Sequence, residues 1–304
     1  MTEEAKLKRH HRTLVFNADD ALLLFYIMRL TPEGLTCGTC RSQSGIELLT
    51  QYASTLGDLD KPPLTLCESI ENLPKDSKAF GDVIFDRMFF RDIFSSSKSI
   101  YDFALLAKVL FLGKENQKRD IAFSQEDGKE ENSVLNKDTP PLLAEDAKII
   151  ISQRIPSSAQ HISNLISEVL NDKEKKKIFA GEYSDESIEE IKIILKKMNE
   201  AEQNFFNDSS NPLFNWNEKD IEDTLKKEGF YVNLKEQTLE EVRTISEQEQ
   251  ERWFNSQNSA YGSYLQKNIG EESLKKIKAI LSSISKKSTF LWRTKNIIAT
   301  ISFN

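Results

Sequence analysis

The chain has 304 residues, 38% of them hydrophobic and 29% charged, which suffices for one large domain or two small ones around a sizeable core. Only 11 residues are glycine, about half the roughly 7% usual in proteins, and the first is Gly34, which speaks against a glycine-rich phosphate loop near the N-terminus. A balance of 41 basic against 48 acidic residues gives a net charge of −7, which disfavours unaided nucleic-acid binding through phosphate neutralisation. No apolar run is long enough to span a membrane. The charged N-terminus lacks an apolar signal core. Three cysteines, Cys37, Cys40 and Cys67, make no disulfide framework and point to a reducing cytoplasm.

Residues 1–12 read as a basic tail or linker, carrying Lys6, Lys8, Arg9, His10, His11 and Arg12. Residues 13–304 read as a single domain. Its first half alternates apolar triplets with helical stretches. The triplets Leu14-Val15-Phe16, Leu64-Thr65-Leu66, Val83-Ile84-Phe85 and Ile149-Ile150-Ile151 predict buried parallel strands, with residues 35–40 a weaker strand candidate. Helices are expected over residues 21–30, 45–54, 100–112 and 157–170. This alternation predicts βαβ units and an α/β, Rossmann-like doubly wound sheet. Residues 125–146 are polar, contain Pro140-Pro141, and read as a loop insertion before the strand at Ile149. Residues 171–182, with Lys173, Lys175, Lys176 and Lys177, read as a solvated turn or helix end.

The second half is richer in helix, with added helices expected within 184–228 and 246–287. Ile188, Ile191, Leu195, Met198 and Phe205 share a helical face, and Asn217 followed by Asp220 signals the next helix start, with Gly229 its stop. Phe230, Val232 and Leu234 alternate as a strand does. Leu274, Ile277, Leu281 and Ile284 mark a further helix after Gly270. Ile297, Ala299, Ile301 and Phe303 form a last alternating strand. Parallel strands closed by two late antiparallel strands fit the seven-stranded class I methyltransferase plan.

The segment His11-Arg12-Thr13-Leu14-Val15-Phe16-Asn17-Ala18-Asp19-Asp20-Ala21-Leu22-Leu23, followed by Arg29-Leu30-Thr31-Pro32-Glu33-Gly34, resembles the start of a methyltransferase-like domain. That domain is fused behind AAA+ ATPase modules in some bacterial homologues of replication-associated recombination protein A. The resemblance continues through Asn211-Pro212-Leu213-Phe214-Asn215-Trp216, Glu251-Arg252-Trp253-Phe254 and Leu291-Trp292-Arg293-Thr294, in consistent order over nearly the whole chain. It implies a class I fold, S-adenosylmethionine (SAM) as the ancestral cofactor, and a AAA+ ATPase module as partner, in the same or a separate chain.

Measured against that family's pattern, Val15 stands where the first strand carries an acid, and Asp19-Asp20-Ala21 stands where a Gly-x-Gly core lets the backbone approach the cofactor. Ser42 stands where the second strand ends in the ribose-binding acid. The resemblance therefore implies a degenerate, non-catalytic module, with an atypical active methyltransferase as the alternative.

Asn17, Asp19, Asp20, Ser42, Glu68 and Asp86 are the candidate cofactor-site residues, Glu68 being expected after the third strand and Asp86 after the fourth. For Asn17, Asp19 and Asp20 the competing expectation is helix N-capping. Asn211-Pro212-Leu213-Phe214 has the look of a base-amino methylation loop but follows the fifth strand, so it reads as a turn into Trp216. Cys37 and Cys40 read as buried thiols rather than half a metal site, since His10, His11, His161 and Cys67 supply no second ligand pair; no metal is expected. Arg252-Trp253 and Trp292-Arg293 suit either a docking surface or an Arg–Trp stack that secures the last helix. His161, on an expected helix, leaves no Ser-His-Asp or Cys-His arrangement, and no glycine-lysine P-loop is present.

Overall fold

A computed structural model describes residues 1–58, 60–70, 72, 80, 82–113, 140–172 and 185–303. Most of the expected insertion at 125–146 and of the lysine-rich segment at 171–182 lies outside the described residues. In chain order the elements are α1 (Thr2–Ala5), β1 (Arg12–Val15), α2 (Leu22–Leu30), β2 (Leu35–Cys40), α3 (Gln43–Ala53), β3 (Leu64–Cys67), β4 (Phe85–Arg91), α4 (Ser97–Leu112) and β5 (Leu143–Arg154). There follow α5 (Ile162–Asn171), α6 (Asp185–Phe206), α7 (Glu218–Lys227), β6 (Phe230–Arg243), α8 (Glu247–Phe254), α9 (Ala260–Ile269), α10 (Glu271–Lys287) and β7 (Phe290–Phe303).

The strands form one seven-stranded sheet in the order β3-β2-β1-β4-β5-β7-β6. β1 pairs in parallel with both β2 and β4, β2 with β3, and β4 with β5. This is the Rossmann-like plan of class I methyltransferases. The strand order reverses between β1 and β4, which places a crevice at their carboxyl ends, where doubly wound sheets bind ligands.

Two compact units divide the chain. The first holds Met1–Gln153, Glu218–Glu236 and Ile297–Asn304. On one sheet face Val15, Cys40, Phe89, Ile150 and Ile298 bury against Leu24, Ile27 and Met28 of α2, Leu49 of α3 and Ala5 of α1. Phe16 stacks on Phe90 at 4.6 Å, and Phe103 of α4 meets Phe90 and Phe94 edge-on at 5.3 and 5.5 Å. Residues 1–12, expected as a basic tail, form α1 and enter β1; Ala5 is fully buried and its carbonyl accepts from Arg87 Nε at 2.8 Å.

The second unit holds Arg154–Asn217 and Gln237–Asn296. Its core joins Leu165 and Ile166 of α5, Ile191, Leu195 and Met198 of α6, and Ile277, Leu281 and Ile284 of α10. These are faces that the 3.6-residue period marks in the sequence. Asn211-Pro212-Leu213-Phe214 is indeed a turn: Asn211 Oδ1 accepts from Leu213 N at 3.0 Å and Asn211 O from Phe214 N at 2.9 Å. The aromatic pairing differs from the expected Arg–Trp stacks. Trp253 stacks on Trp292 at 5.7 Å, and the cation over Trp292 is Arg243, at 5.1 Å. Arg293 instead bridges Glu168 at 2.8 Å and Glu240 at 3.1 Å.

Within this second core lies a fully buried carboxylate. Glu202 of α6 accepts from the backbone of Ile162 at 2.8 Å and of Ser163 at 3.2 Å, and from the hydroxyls of Ser163 and Tyr261. It thereby caps α5 in trans, satisfying amides that its first turn leaves open. Burial, then the carboxylate beside it, holds the Tyr261 phenol well above its ordinary range. Removing the carboxylate takes their acceptor from two buried amides and the Tyr261 hydroxyl and leaves the Ser163 hydroxyl only Asn199 Oδ1 at 3.4 Å, so Glu202→Ala is expected to lower the unfolding free energy by about 3 kcal/mol and Glu202→Gln by less. Urea denaturation checks this, and a loss under about 1 kcal/mol for the alanine variant contradicts a stabilising role.

Candidate functional site

The crevice at the switch point is an open cleft of about 340 Å3. Its apolar wall is Phe16, Phe90, Ile70 and Ile93; its polar groups come from Asn17, Arg41, Glu68 and Ser69, and the thiols of Cys40 and Cys67 complete it. Each residue arrives from the carboxyl end of a parallel strand: Phe16 and Asn17 after β1, Cys40 and Arg41 at the end of β2, Cys67 and Glu68 at the end of β3, Phe90 on β4.

The turn after β1 takes its shape from hydrogen bonds to both neighbouring strands. Phe16 N donates to Phe89 O of β4 at 2.9 Å, and Ala18 N donates to Thr39 O of β2 at 2.8 Å. Between them Asn17 has φ 52°, and at the far end of the turn Ala21 has φ 62°. These are left-handed values that glycine adopts freely and other residues adopt at a cost. The turn thus has the backbone form of a glycine loop without its glycines.

The two aspartates leave the cleft to either side. Asp19 accepts from Arg41 N at 3.2 Å and pairs with the Arg41 guanidinium at 3.4 Å. Its carboxylate lies against the first turn of α3, where a Cβ on Gly45 would come within 2.6 Å of Asp19 Oδ1 and displace it. Asp20 pairs with Arg91 at the end of β4. Neither aspartate lines the cleft. Ser42 is the N-cap of α3, its hydroxyl accepting from Gly45 N at 3.2 Å.

Of the six candidate residues, Asn17 and Glu68 therefore come together in the cleft, Asp19, Asp20 and Ser42 border it in structural roles, and Asp86 is elsewhere. Asp86 needs correction. β4 is not the Val83–Phe85 triplet but Phe85–Arg91, so Asp86 opens the strand instead of following it. Its carboxylate accepts from Arg12 N at 2.7 Å and from the Arg12 guanidinium at 3.2 Å. Burial pushes its pKa up, but the Arg12 bonds outweigh that and hold the group below its ordinary range. The expectation failed because Arg87 interrupts the apolar pattern. Residue 87 is buried, its guanidinium donating to the carbonyls of Ala5, Asp86 and Asp146, so the true apolar run, Met88-Phe89-Phe90, starts one residue later.

Sequence reasoning missed Arg41, Phe90, Ile93 and the cleft-facing thiols. Arg41 was legible as the residue directly before Ser42; Phe90 and Ile93 were hidden by the misplaced β4. Cys40 and Cys67 are register partners across β2 and β3. Burial, reinforced by Asp19, pushes the Cys40 thiol up to about 11, and burial alone pushes Cys37 to about 12. Both remain protonated near neutral pH and are poor nucleophiles. Among the described residues no group of three His, Cys, Asp or Glu side chains is arranged to hold a metal ion, and no helix is long and apolar enough to cross a membrane. What the cleft can do is bind: an apolar, aromatic wall faces one carboxylate, one amide and one guanidinium, a set suited to a planar, partly polar small molecule.

No family model matches the chain, and no curated protein matches it by sequence. Among solved structures it is similar to the YcgJ protein from Bacillus subtilis, at 11% identity over 100% of this chain and 97% of that one, with a TM-score of 0.45. It is also similar to a cyclopropane-fatty-acyl-phospholipid synthase-like protein from Lactobacillus casei, at 11% identity over 99% of this chain and 88% of that one, TM-score 0.44. A third is the mycolic acid cyclopropane synthase CmaA1, solved with SAH and CTAB, at 11% identity over 99% and 81% of the two chains, TM-score 0.42.

The left-handed turn makes a stability prediction. Removing a buried methyl at an ordinary backbone position costs about 1 kcal/mol. At Ala21 the relief of left-handed strain, of order 1 kcal/mol, offsets that cost. Ala21→Gly is therefore expected to leave the urea-unfolding free energy within about 0.5 kcal/mol of the parent or to raise it. A loss above about 1 kcal/mol contradicts the strain.

Proposed function

We propose that the chain is a methyltransferase-fold module that has given up methyl transfer and serves assembly or regulation beside a AAA+ ATPase of replication-fork maintenance. The observation that carries the first half is how the two cofactor positions of the fold are used. The turn after β1 offers Asp19 and Asp20, each tied to an arginine, where the backbone of a glycine loop would meet the cofactor's amino-acid end. At the end of β2, Ser42 is engaged as a helix cap and the neighbouring Arg41 brings a positive charge, so neither supplies the acid that would bind ribose hydroxyls. The ATPase association rests on the ordered sequence resemblance alone.

A second reading, an active SAM-dependent methyltransferase with an atypical pocket, is favoured by one specific observation. The cleft is open, with Asn17 and Glu68 on its wall and the aspartate side chains drawn aside rather than blocking it. CmaA1, to which the fold is similar, was solved with SAH, which makes SAM and SAH the ligands to test.

Titration calorimetry separates the two readings. With the degenerate reading neither SAM nor SAH produces binding heat at millimolar concentration. Micromolar binding that Asn17→Ala or Glu68→Ala weakens about tenfold or more would establish the second reading in its place. The association is tested by gel filtration of the chain with a purified AAA+ ATPase of the replication-associated recombination protein A type from the same genome. Co-elution is expected, and separate elution of both proteins at micromolar concentration removes that half of the proposal.

A further inference from the structure

A second cleft, of about 310 Å3, opens on the sheet face formed by β5, β7 and β6, away from the carboxyl edges of β1–β4. Lys148 of β5, Thr300 and Ser302 of β7, and Asn233 of β6 line it, with Lys6 reaching in from the end of α1. Alternation along the strands explains the grouping. Lys148 shares a face with Ile150, and Thr300 and Ser302 with Ile298; the two isoleucines are buried with Ala5 of α1, while the polar residues continue the same face beyond that core.

The charge of this cleft is unbalanced. Lys148 is the register partner of Arg87, and neither of them nor Lys6 makes an ion pair among the described residues. The buried Arg87 guanidinium donates from Nε and Nη1 to carbonyl oxygens rather than pairing with a carboxylate, and the charges of Asp146 and Asp86 only partly offset the burial that pushes its pKa down. Two carboxylates act on the group: Glu4 on the cleft wall, which is held by Lys235 at 2.9 Å, and Asp146, two residues before Lys148 on β5. Burial, then the charges of Arg87 and Lys6, push the Lys148 ammonium below its ordinary pKa, against the pull of Asp146 and Glu4. An anion would relieve both. Thr300 adds an independent sign: its Oγ1 is buried and has no hydrogen-bond partner among the described residues. A buried hydroxyl is costly to leave unpaired, and an anionic oxygen is a partner it can donate to.

We infer that this cleft is an anion site for a small phosphate ester or pyrophosphate, held by Lys6 and Lys148 with hydrogen bonds from Thr300, Ser302 and Asn233. Two lysines provide compact point charges with several donors each, and hydroxyl and amide donors supply the remaining directions of a tetrahedral, multi-oxygen anion. The cleft exceeds what inorganic phosphate alone fills, leaving room for a second phosphoryl or an ester substituent. Because none of these residues lines the switch-point cleft, the site stands whether or not SAM binds.

The test is calorimetry of the full chain with pyrophosphate at constant ionic strength, against inorganic phosphate and sulfate, in the parent and in Lys148→Met, Lys6→Met, Thr300→Val and the remote Lys275→Met. Saturable submillimolar binding of pyrophosphate, tighter than that of sulfate, is expected in the parent and in Lys275→Met. Lys148→Met and Lys6→Met are each expected to weaken it about tenfold or more, and Thr300→Val severalfold. Heat that does not saturate at millimolar pyrophosphate, equal affinity for sulfate, or undiminished binding in Lys148→Met overturns the assignment. Should Lys148→Met lose the parent's circular dichroism, Lys6→Met and Thr300→Val decide the matter by the same criterion.

Discussion

Within three residues of the end of β1 the chain is bonded to one neighbouring strand and then to the other: Phe16 donates to β4 and Ala18 to β2. A parallel sheet whose order reverses at its first strand imposes this, because the strand that starts the sheet must be flanked on both sides. Passing from one neighbour to the other in so short a step turns the peptide plane at Asn17 into the left-handed region. The position of α2, the opening of the cleft and the direction of the two aspartates all follow from that step. Asp19 emerges toward β2 and finds Arg41; Asp20 emerges toward β4 and finds Arg91. The Arg side chains are 73% and 47% exposed, so each pair contributes at most about 1 kcal/mol. Their effect is orientation, keeping two carboxylates out of the cleft.

β4 shows how a buried charge can hide a strand. Seven residues, Phe85–Arg91, lie at the centre of the sheet, yet Asp86 and Arg87 break the run that normally signals such a strand. Both are accommodated by specific partners. Asp86 is held by Arg12 at the start of β1, and Arg87 by three carbonyls, one of them from α1. The N-terminal residues are thereby tied to the sheet centre, and the same arrangement sets a positive charge next to Lys148.

The sheet plan and most helices were legible in the sequence because they rest on periodicities of two and 3.6 that burial enforces: Ile149-Ile150-Ile151 in β5, or Leu274, Ile277, Leu281 and Ile284 in α10. Apart from β4, the stretches that left no pattern are those whose stability comes from pairing rather than burial. β6 runs on to Arg243 through residues that are almost all exposed, so no alternation marks its second half, and β7 begins at Phe290 through residues only partly buried. The site divides the same way. Asn17 and Glu68 were found from chain position relative to strands that could be read, whereas Phe90 and Ile93 depended on β4, which could not. The stacked tryptophans illustrate a further limit: Arg-Trp dipeptides suggested local pairs, but adjacent residues face different directions on the helix α8 that holds Arg252-Trp253 and opposite faces on the strand β7 that holds Trp292-Arg293, and the cation that meets Trp292 comes from β6.

The scarcity of glycine bears differently on shape and on binding. Left-handed backbone at a residue with a side chain persists only where the surroundings over-determine it. Here the two strand bonds and the two arginine pairs do so, and none of the four involves a ligand. The loop-like form of the turn is therefore held by contacts within the chain and does not itself argue for a cofactor. Glycine in such a turn serves two ends, conformational freedom and close approach of a ligand to bare backbone. The first has been met by other means at Asn17 and Ala21. The second differs here: the side chains at positions 19 and 20 are drawn to Arg41 and Arg91, outside the cleft, and Asn17 presents a side chain where glycine would leave bare backbone. The turn therefore keeps a backbone form that contacts within the chain hold in place, and that form by itself carries no chemistry.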